Sequence, residues 1–321
     1  MSGQLARAAA IALTGLRGTT VMVEAAVSQQ LPGMAIIGLP DAALAEAKLR
    51  VRTATAQAEL PLSNRFITVN LRPAALPKHG SGFDLAIALA ALGASRRLPV
   101  DQLATTAHLG ELGLDGALRR PAGLLSLTIA ARGLGFQRVM VPEESAAEAA
   151  LVPGIDVIAA RNLAEAVAWY QGVVGGGRIV PYSGEPESMA QSAMRAAGDI
   201  SDVIGQPEAI EALVVAAAGR HHLSLLGPPG AGKTLLATRL PSILPMLTDS
   251  EALEASSIAS LVGPAPTELV RRPPFERPHH TASASSIIGG GAGTEVRPGA
   301  VTRACHGVLF MDELRDGKYT S

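Results

Sequence analysis

The sequence predicts an α/β protein in two parts, and three observations predict it. The run Gly227-Pro228-Pro229-Gly230-Ala231-Gly232-Lys233-Thr234 has the spacing of a phosphate-binding loop. It follows His222-Leu223-Ser224-Leu225-Leu226, expected to be a short buried strand, and leads into a helix over 235–240. A second apolar run, Val308-Leu309-Phe310-Met311, ends in Asp312-Glu313. That is the pattern of a central parallel strand delivering acids to the sheet edge where α/β folds bind ligands. Upstream, strand and helix signals alternate until Gly175-Gly176-Gly177, where a Gly/Pro/Ser-rich stretch with few apolar anchors reads as a linker. The expected parts are therefore 1–174, a linker over 175–197, and 198–321.

Taken in order, Val21, Val23 and Val27 alternate as one strand face, and 34–39 reads as a buried strand ending at Pro40, with Asp41 placed to cap a helix. Residues 66–71 form the next strand. A loop over 73–82 leads to an apolar helix that Asp84 opens, and 109–118 reads as strands around the turn at Asp115-Gly116. A helix over 124–134, strands at 138–141 and 156–158, and a helix from Asn162 follow; Asn162 with Glu165 resembles a capping box. Beyond the linker, Ile210, Leu213, Val214 and Ala217 recur at helical spacing.

The chemistry follows from the residue types. Glycines let backbone N–H groups turn inward around a β-phosphate, Lys233 supplies a point charge near the β and γ oxygens, and the Thr234 hydroxyl can ligate Mg²⁺. Asp312 is the expected partner of that Mg²⁺, and Glu313 the base that activates water.

Composition narrows the class. At 321 residues and 48% hydrophobic content the chain suits two cores. No apolar stretch reaches the about 18 residues that span a bilayer, and the N-terminus lacks a convincing cleavage site. The single cysteine, Cys305, excludes an internal disulfide, and a cytoplasmic location is expected. With a net charge of −1 the chain has no global pull toward nucleic acid, so DNA would need a local patch: Arg50 and Arg52, Arg96-Arg97, Arg119-Arg120 or Arg271-Arg272. His279-His280 with Cys305-His306 offer N and S ligands, but no Cys-x-x-Cys or His-x-x-x-His spacing supports a zinc site.

The segment Asp202-Val203-Ile204-Gly205-Gln206, with the loop and Asp312-Glu313, resembles the nucleotide-binding core of AAA+ ATPases, where the Gly-Gln segment lies near adenine; Gln206 is either a helix-start residue or a base contact. The resemblance extends through 277–283, Gly289-Gly290-Gly291, Arg297-Pro298-Gly299 and 306–314, which are similar to the magnesium-chelatase-like AAA+ proteins of the YifB/ComM type. It implies ATP and Mg²⁺ as cofactors and, for intact members, a homo-oligomeric ring and ATP-driven DNA processing linked to competence and natural transformation; the lack of a long apolar stretch gives the expectation of no membrane partner. It places His279 and His280 in the insert between the two nucleotide motifs. A non-enzymatic nucleotide- or partner-binding module is the alternative.

The same resemblance implies an N-terminal domain similar to the proteolytic domain of Lon, an α+β domain like ribosomal S5 domain 2, carried by 77–84 and by Gly110-Glu111 through Gly123. Laid on the Lon pattern, Gly82 takes the place of the nucleophilic serine and Leu125 that of the lysine base, so a non-proteolytic domain is expected. Neighbouring Ser81, with Lys78 on the same loop, does not restore the pair. After Leu314 the chain reads Arg315-Asp316-Gly317-Lys318-Tyr319-Thr320-Ser321 where the family continues Pro-Glu-Phe. That departure gives the expectation of a truncated or frameshifted product with a partial AAA+ domain, impaired in hydrolysis for want of sensor, trans arginine and lid.

Overall fold

The structure is a computed structural model that describes residues 5–15, 17–28, 30–38, 41–62, 64–73, 81–183, 198–279, 281–290 and 297–312. The chain divides into two compact units, Met1–Gly184 and Glu185–Ser321.

The first unit is built on a mixed sheet that starts from a long hairpin. β1 (Leu5–Thr14) and β2 (Arg17–Ser28) pair antiparallel from Leu5 opposite Ala26 to Thr14 opposite Arg17. β3 (Gly33–Ile37) runs parallel to β4 (Phe66–Arg72), and β4 runs antiparallel to β2. On the other side of β1 lie β5 (Thr106–His108), β8 (Arg138–Pro142) and β9 (Asp156–Ala160), all parallel, and β10 (Arg178–Val180) closes the edge antiparallel to β9. The eight strands stand in the order β10-β9-β8-β5-β1-β2-β4-β3. β6 (Glu111–Leu112) and β7 (Leu118–Arg119) make a separate small hairpin around Asp115-Gly116.

β1 is interior and buried on both faces, and its alanines let helices approach closely. Ala6, Ala8, Ala10 and Ala12 join one core with α1 (Asp41–Gln57), α2 (Asp84–Ala94) and α5 (Leu163–Gln171). Ile11 joins the other core with α3 (Leu124–Gly133) and α4 (Ala146–Ala149). All of α2 is buried, which explains its unbroken Leu/Ile/Ala run: a helix covered on every side needs no polar face.

Several expectations change. Arg178–Val180, inside the stretch expected to be linker, is the edge strand of this sheet. Asn162 caps α5 by accepting from the Glu165 N–H at 2.9 Å, but the Glu165 carboxylate turns to Arg161, accepting from its N–H and Nε, so the box does not close. The Asp41 side chain lies outside the described residues. Two basic candidates for DNA are consumed by buried acids. Arg50 donates from Nε to Asp84 Oδ2 at 2.6 Å, and Arg120 grips Glu148 with two bonds of 2.7 and 2.9 Å. The reason is that the Asp84 and Glu148 side chains are 1% and 0% exposed, and a buried carboxylate demands a cation beside it. Arg271 is paired with Asp249 at 2.7 Å.

Burial also sets a pH dependence. Burial pushes the Asp84 carboxyl up from 3.8 to about 6, outweighing Arg50, and pushes the His108 imidazole down from 6.5 to about 4. The His108 ring is fixed as a neutral tautomer: Nδ1–H donates to Ala9 O at 2.9 Å, and Nε2 accepts from the Tyr170 hydroxyl at 2.7 Å. Between pH 3.8 and about 6 the folded chain holds the Asp84 proton that the unfolded chain has lost, so this contribution falls as pH rises. Between about 4 and 6.5 the unfolded chain takes a His108 proton that the folded chain refuses, so that contribution falls as pH drops. From pH 7 to pH 5 the two amount to about 1 kcal/mol gained and about 2 kcal/mol lost. Urea unfolding followed at Trp169, the single tryptophan of the chain, should show a steeper acid loss in Asp84→Asn and a gain on acidification in His108→Gln. Equal pH slopes in all three proteins would refute the assignment.

The second unit has less sheet. A capped turn at Ile200–Asp202 leads into α6 (Pro207–Gly219), α7 (Lys233–Arg239) and α8 (Asp249–Val262). Val203, Leu213 and Leu236 make a small core with Leu225 and Leu240 against it. On α6 the buried face is Leu213, Ala216 and Ala217, while Val214, which shares their helical spacing, is 48% exposed. β11 (Phe275–Glu276) pairs parallel with β14 (Val308–Leu309), and β12 (Gly289–Gly290) pairs antiparallel with β13 (Arg297–Pro298). α9 (Ala284–Ile288) and α10 (Ala300–Arg303) flank the latter pair. No helix among the described residues is long and apolar enough to cross a membrane.

Candidate functional site

The glycine-rich loop opens directly into α7. Gly230 and Gly232 both take left-handed backbone, φ +81° and +76°, and Gly232 is the residue before the helix. Only glycine adopts such conformations freely, so these two positions let the chain reverse, and the Ala231 N–H between them donates to Pro228 O at 3.3 Å. Lys233 folds back on its own loop, donating from Nζ to Gly227 O and Pro228 O, both at 2.8 Å. Its ammonium thus already sits over the loop, held by carbonyls that an anion can replace. Gly227, Pro228, Pro229 and Gly230 are exposed, and Ala231, Gly232, Lys233 and Thr234 half-buried.

Gln206 reaches the same loop from another element. Its backbone is left-handed, φ 55°, at the start of α6, and its Nε2 donates to Ala231 O at 3.2 Å. Gln206 therefore begins a helix, the first of the two alternatives left by its position in the sequence, and its side chain touches the glycine-rich loop.

The flanking strands depart from expectation. Residues 222–226 form no strand, and all but Leu225 are exposed, with Leu226 at 93%. A buried strand needs ladder partners on its edges, and among the described residues none pairs with this segment. The expected central strand before Asp312 is likewise short: only Val308–Leu309 pairs, and only with Phe275–Glu276. Phe310 N–H extends the contact to Glu276 O at 2.9 Å.

Asp312 lies just past this strand and is claimed by Arg277, whose Nη2 meets Oδ2 at 2.7 Å. The Arg277 guanidinium also lies over the Phe310 ring, 5.4 Å from its centroid, and Phe310 stacks on Phe275. Among the described residues no hydrogen bond or ion pair joins Asp312 to the loop. Glu313, expected as the base, lies outside the described residues, as do His280, Gly291 and Lys78. His279 Nδ1 contacts Thr281 Oγ1 at 2.8 Å. Arg277 lies in the segment that carries the resemblance, but nothing in the sequence signals its pairing with Asp312, 35 residues away.

In the first unit, Ser81 and Gly82 precede α2, and a Cβ on Gly82 would meet nothing within 4 Å. Leu125 is fully buried, and its N–H donates to Glu148 Oε1 at 3.3 Å. An apolar core side chain at this position supplies no proton acceptor.

Comparison with known proteins matches this chain on both units. The family described as magnesium chelatase, subunit ChlI, matches residues 199–320, and a second, described as subunit ChlI of Mg-chelatase, matches residues 23–145. An uncharacterized protein of Mycobacterium tuberculosis, Rv2897c, is 46% identical over 97% of this chain and 61% of its own length. The competence protein ComM of Haemophilus influenzae is 39% identical over 94% of this chain and 58% of its own. The chain thus spans about three fifths of the length of the curated relatives it matches. A shorter stretch, 14% of the chain, is 46% identical to an archaeal Lon protease of Archaeoglobus fulgidus.

Proposed function

The chain belongs to the magnesium-chelatase-like family of the YifB/ComM type, and from that membership we propose that it binds Mg·ATP through the loop at 227–234. The observation that carries the reading is the Lys233 ammonium folded over a glycine-turned loop at the start of a helix. The residues fit the ligand. The loop offers N–H groups, a cation and a hydroxyl, and Gln206 sits at its side. Bound nucleotide would draw Lys233 off the two carbonyls, while Thr234 and Asp312 hold Mg²⁺ and Glu313 orients water. The metal would supply charge neutralisation at the phosphate oxygens.

Asp312 must exchange Arg277 for the metal, so ATP affinity of the full chain should depend on Mg²⁺. In titration calorimetry, chelating Mg²⁺ should weaken ATP binding, and Asp312→Asn should abolish most of that difference. An identical Mg²⁺ response in the variant would remove Asp312 from the site.

The wider reading is that this chain is part of a protein which, intact, is a cytoplasmic ring driving DNA processing linked to competence; the name of the Haemophilus relative supports the link to competence. The 1–174 part is read as a non-proteolytic Lon-like domain; the apolar, fully buried Leu125 at the expected lysine position supports the loss of proteolysis. ATP turnover measured with and without DNA distinguishes a motor from a binding module, and turnover that DNA leaves unchanged counts against the motor.

A further inference from the structure

A second cluster of ligating side chains lies in the C-terminal unit, away from the loop residues in sequence. Glu254 is on α8, and Cys305 and His306 form the turn between α10 and β14. A carboxylate oxygen of Glu254, the Cys305 sulfur and a ring nitrogen of His306 all lie within 4.8 Å of one another. His306 Nε2 is 2.8 Å from Glu254 Oε2, and its Nδ1 is 3.8 Å from Glu251 Oε1. Glu251 is itself anchored: Oε2 accepts from Thr248 N–H and Oγ1, each at 2.9 Å, and Oε1 accepts from Arg220 Nη1 at 2.9 Å.

We propose that Glu254, Cys305 and His306 bind a thiophilic divalent cation of the zinc class, with Glu251 orienting the imidazole from outside. One thiolate, one imidazole and one carboxylate are the ligand types such ions take at about 2.0–2.3 Å in tetrahedral geometry. Ligand atoms in that geometry stand roughly 3.3–3.8 Å apart, so separations of up to 4.8 Å must close by about 1 Å while the 2.8 Å His306–Glu254 pair opens by roughly 0.5 Å. A carboxylate 3.8 Å from the second imidazole nitrogen stands on the side where an outer partner commonly fixes tautomer and ring direction, and a closing of about 1 Å would make that bond. His306 holds left-handed backbone, φ +59°, uncommon outside glycine. Coordination through Nε2 displaces the Cys305 thiol proton to solvent and leaves the single imidazole proton on Nδ1, the nitrogen that faces Glu251. The Glu254 side chain is 49% exposed, which leaves a fourth position open to water. The ion would tie α8 to the turn that launches β14, and so set where the strand leading to Asp312 begins.

Cobalt(II) added alone to the full chain tests this. Cys305 is the single cysteine, so a sulfur-to-cobalt charge-transfer band reports this site and no other. The band should appear, be displaced by Zn²⁺, and require at least about tenfold more cobalt in His306→Ala and in Glu254→Gln. Absence of the band, or unchanged affinity in both variants, overturns the proposal. If either variant loses its circular dichroism, alkylation of Cys305 in the unaltered chain decides: Zn²⁺ should slow it at least about tenfold, and an unchanged rate at saturating Zn²⁺ overturns the site.

Discussion

Lys233→Ala lowers Mg·ATP affinity of the full chain by about 10- to 100-fold. The size follows from the loss of a charge-assisted contact worth roughly 1.5–3 kcal/mol. Without a phosphate the ammonium spends its charge on Gly227 O and Pro228 O. Those neutral carbonyls are weaker partners than phosphate oxygens, so the lysine gains on exchanging them. The side chain is half-buried and the carbonyls sit on an exposed loop, where water can replace it, so the substitution should leave folding intact. Titration calorimetry with a circular-dichroism control measures both. Affinity within twofold of the unaltered chain would remove the loop from nucleotide binding.

Arg120→Ala destabilises the N-terminal unit by about 3–5 kcal/mol, because it leaves the Glu148 carboxylate buried without its cation. Glu148 is 0% exposed, takes two bonds from Arg120, and accepts the N–H of Leu125. It lies at the first turn of α3, whose preceding residue, Gly123, has no side chain to cap with. An acid brought in from α4 therefore does the capping, and the positive end of the helix holds its charge. Replacing Glu148 by Gln in the Arg120→Ala background removes the stranded charge and should recover part of the loss. Urea unfolding followed at Trp169 reads this unit directly; a loss under about 1 kcal/mol would mean that water reaches Glu148 when the arginine is gone.

How much of this was legible varies with the range of the interaction. Asn162 as a cap, the Asp115-Gly116 turn and the glycines at 230 and 232 are local requirements, met within a few residues, and each appears where its spacing placed it. The capping box at Asn162 failed because Arg161, beside it, offers Glu165 a cation that the Asn162 N–H cannot match. Basic pairs such as Arg50 and Arg120 looked free because their acids lie 34 and 28 residues away on other elements. The apolar run at 222–226 satisfied every local rule for a strand, yet a strand exists only where a neighbour supplies the ladder.

Spacing along the chain was enough to specify the glycine-turned loop before a helix, the alternation of strands and helices in the first unit and the apolar run of α2, because these obey short periods and backbone rules that a few consecutive residues encode. Folding alone decided that Gln206 touches Ala231, that Arg277 holds Asp312, and that Glu254 meets His306 from 52 residues away. Those contacts depend on how helices and strands pack, and packing is fixed by volume and charge complementarity between segments whose separation in sequence carries no periodic signal.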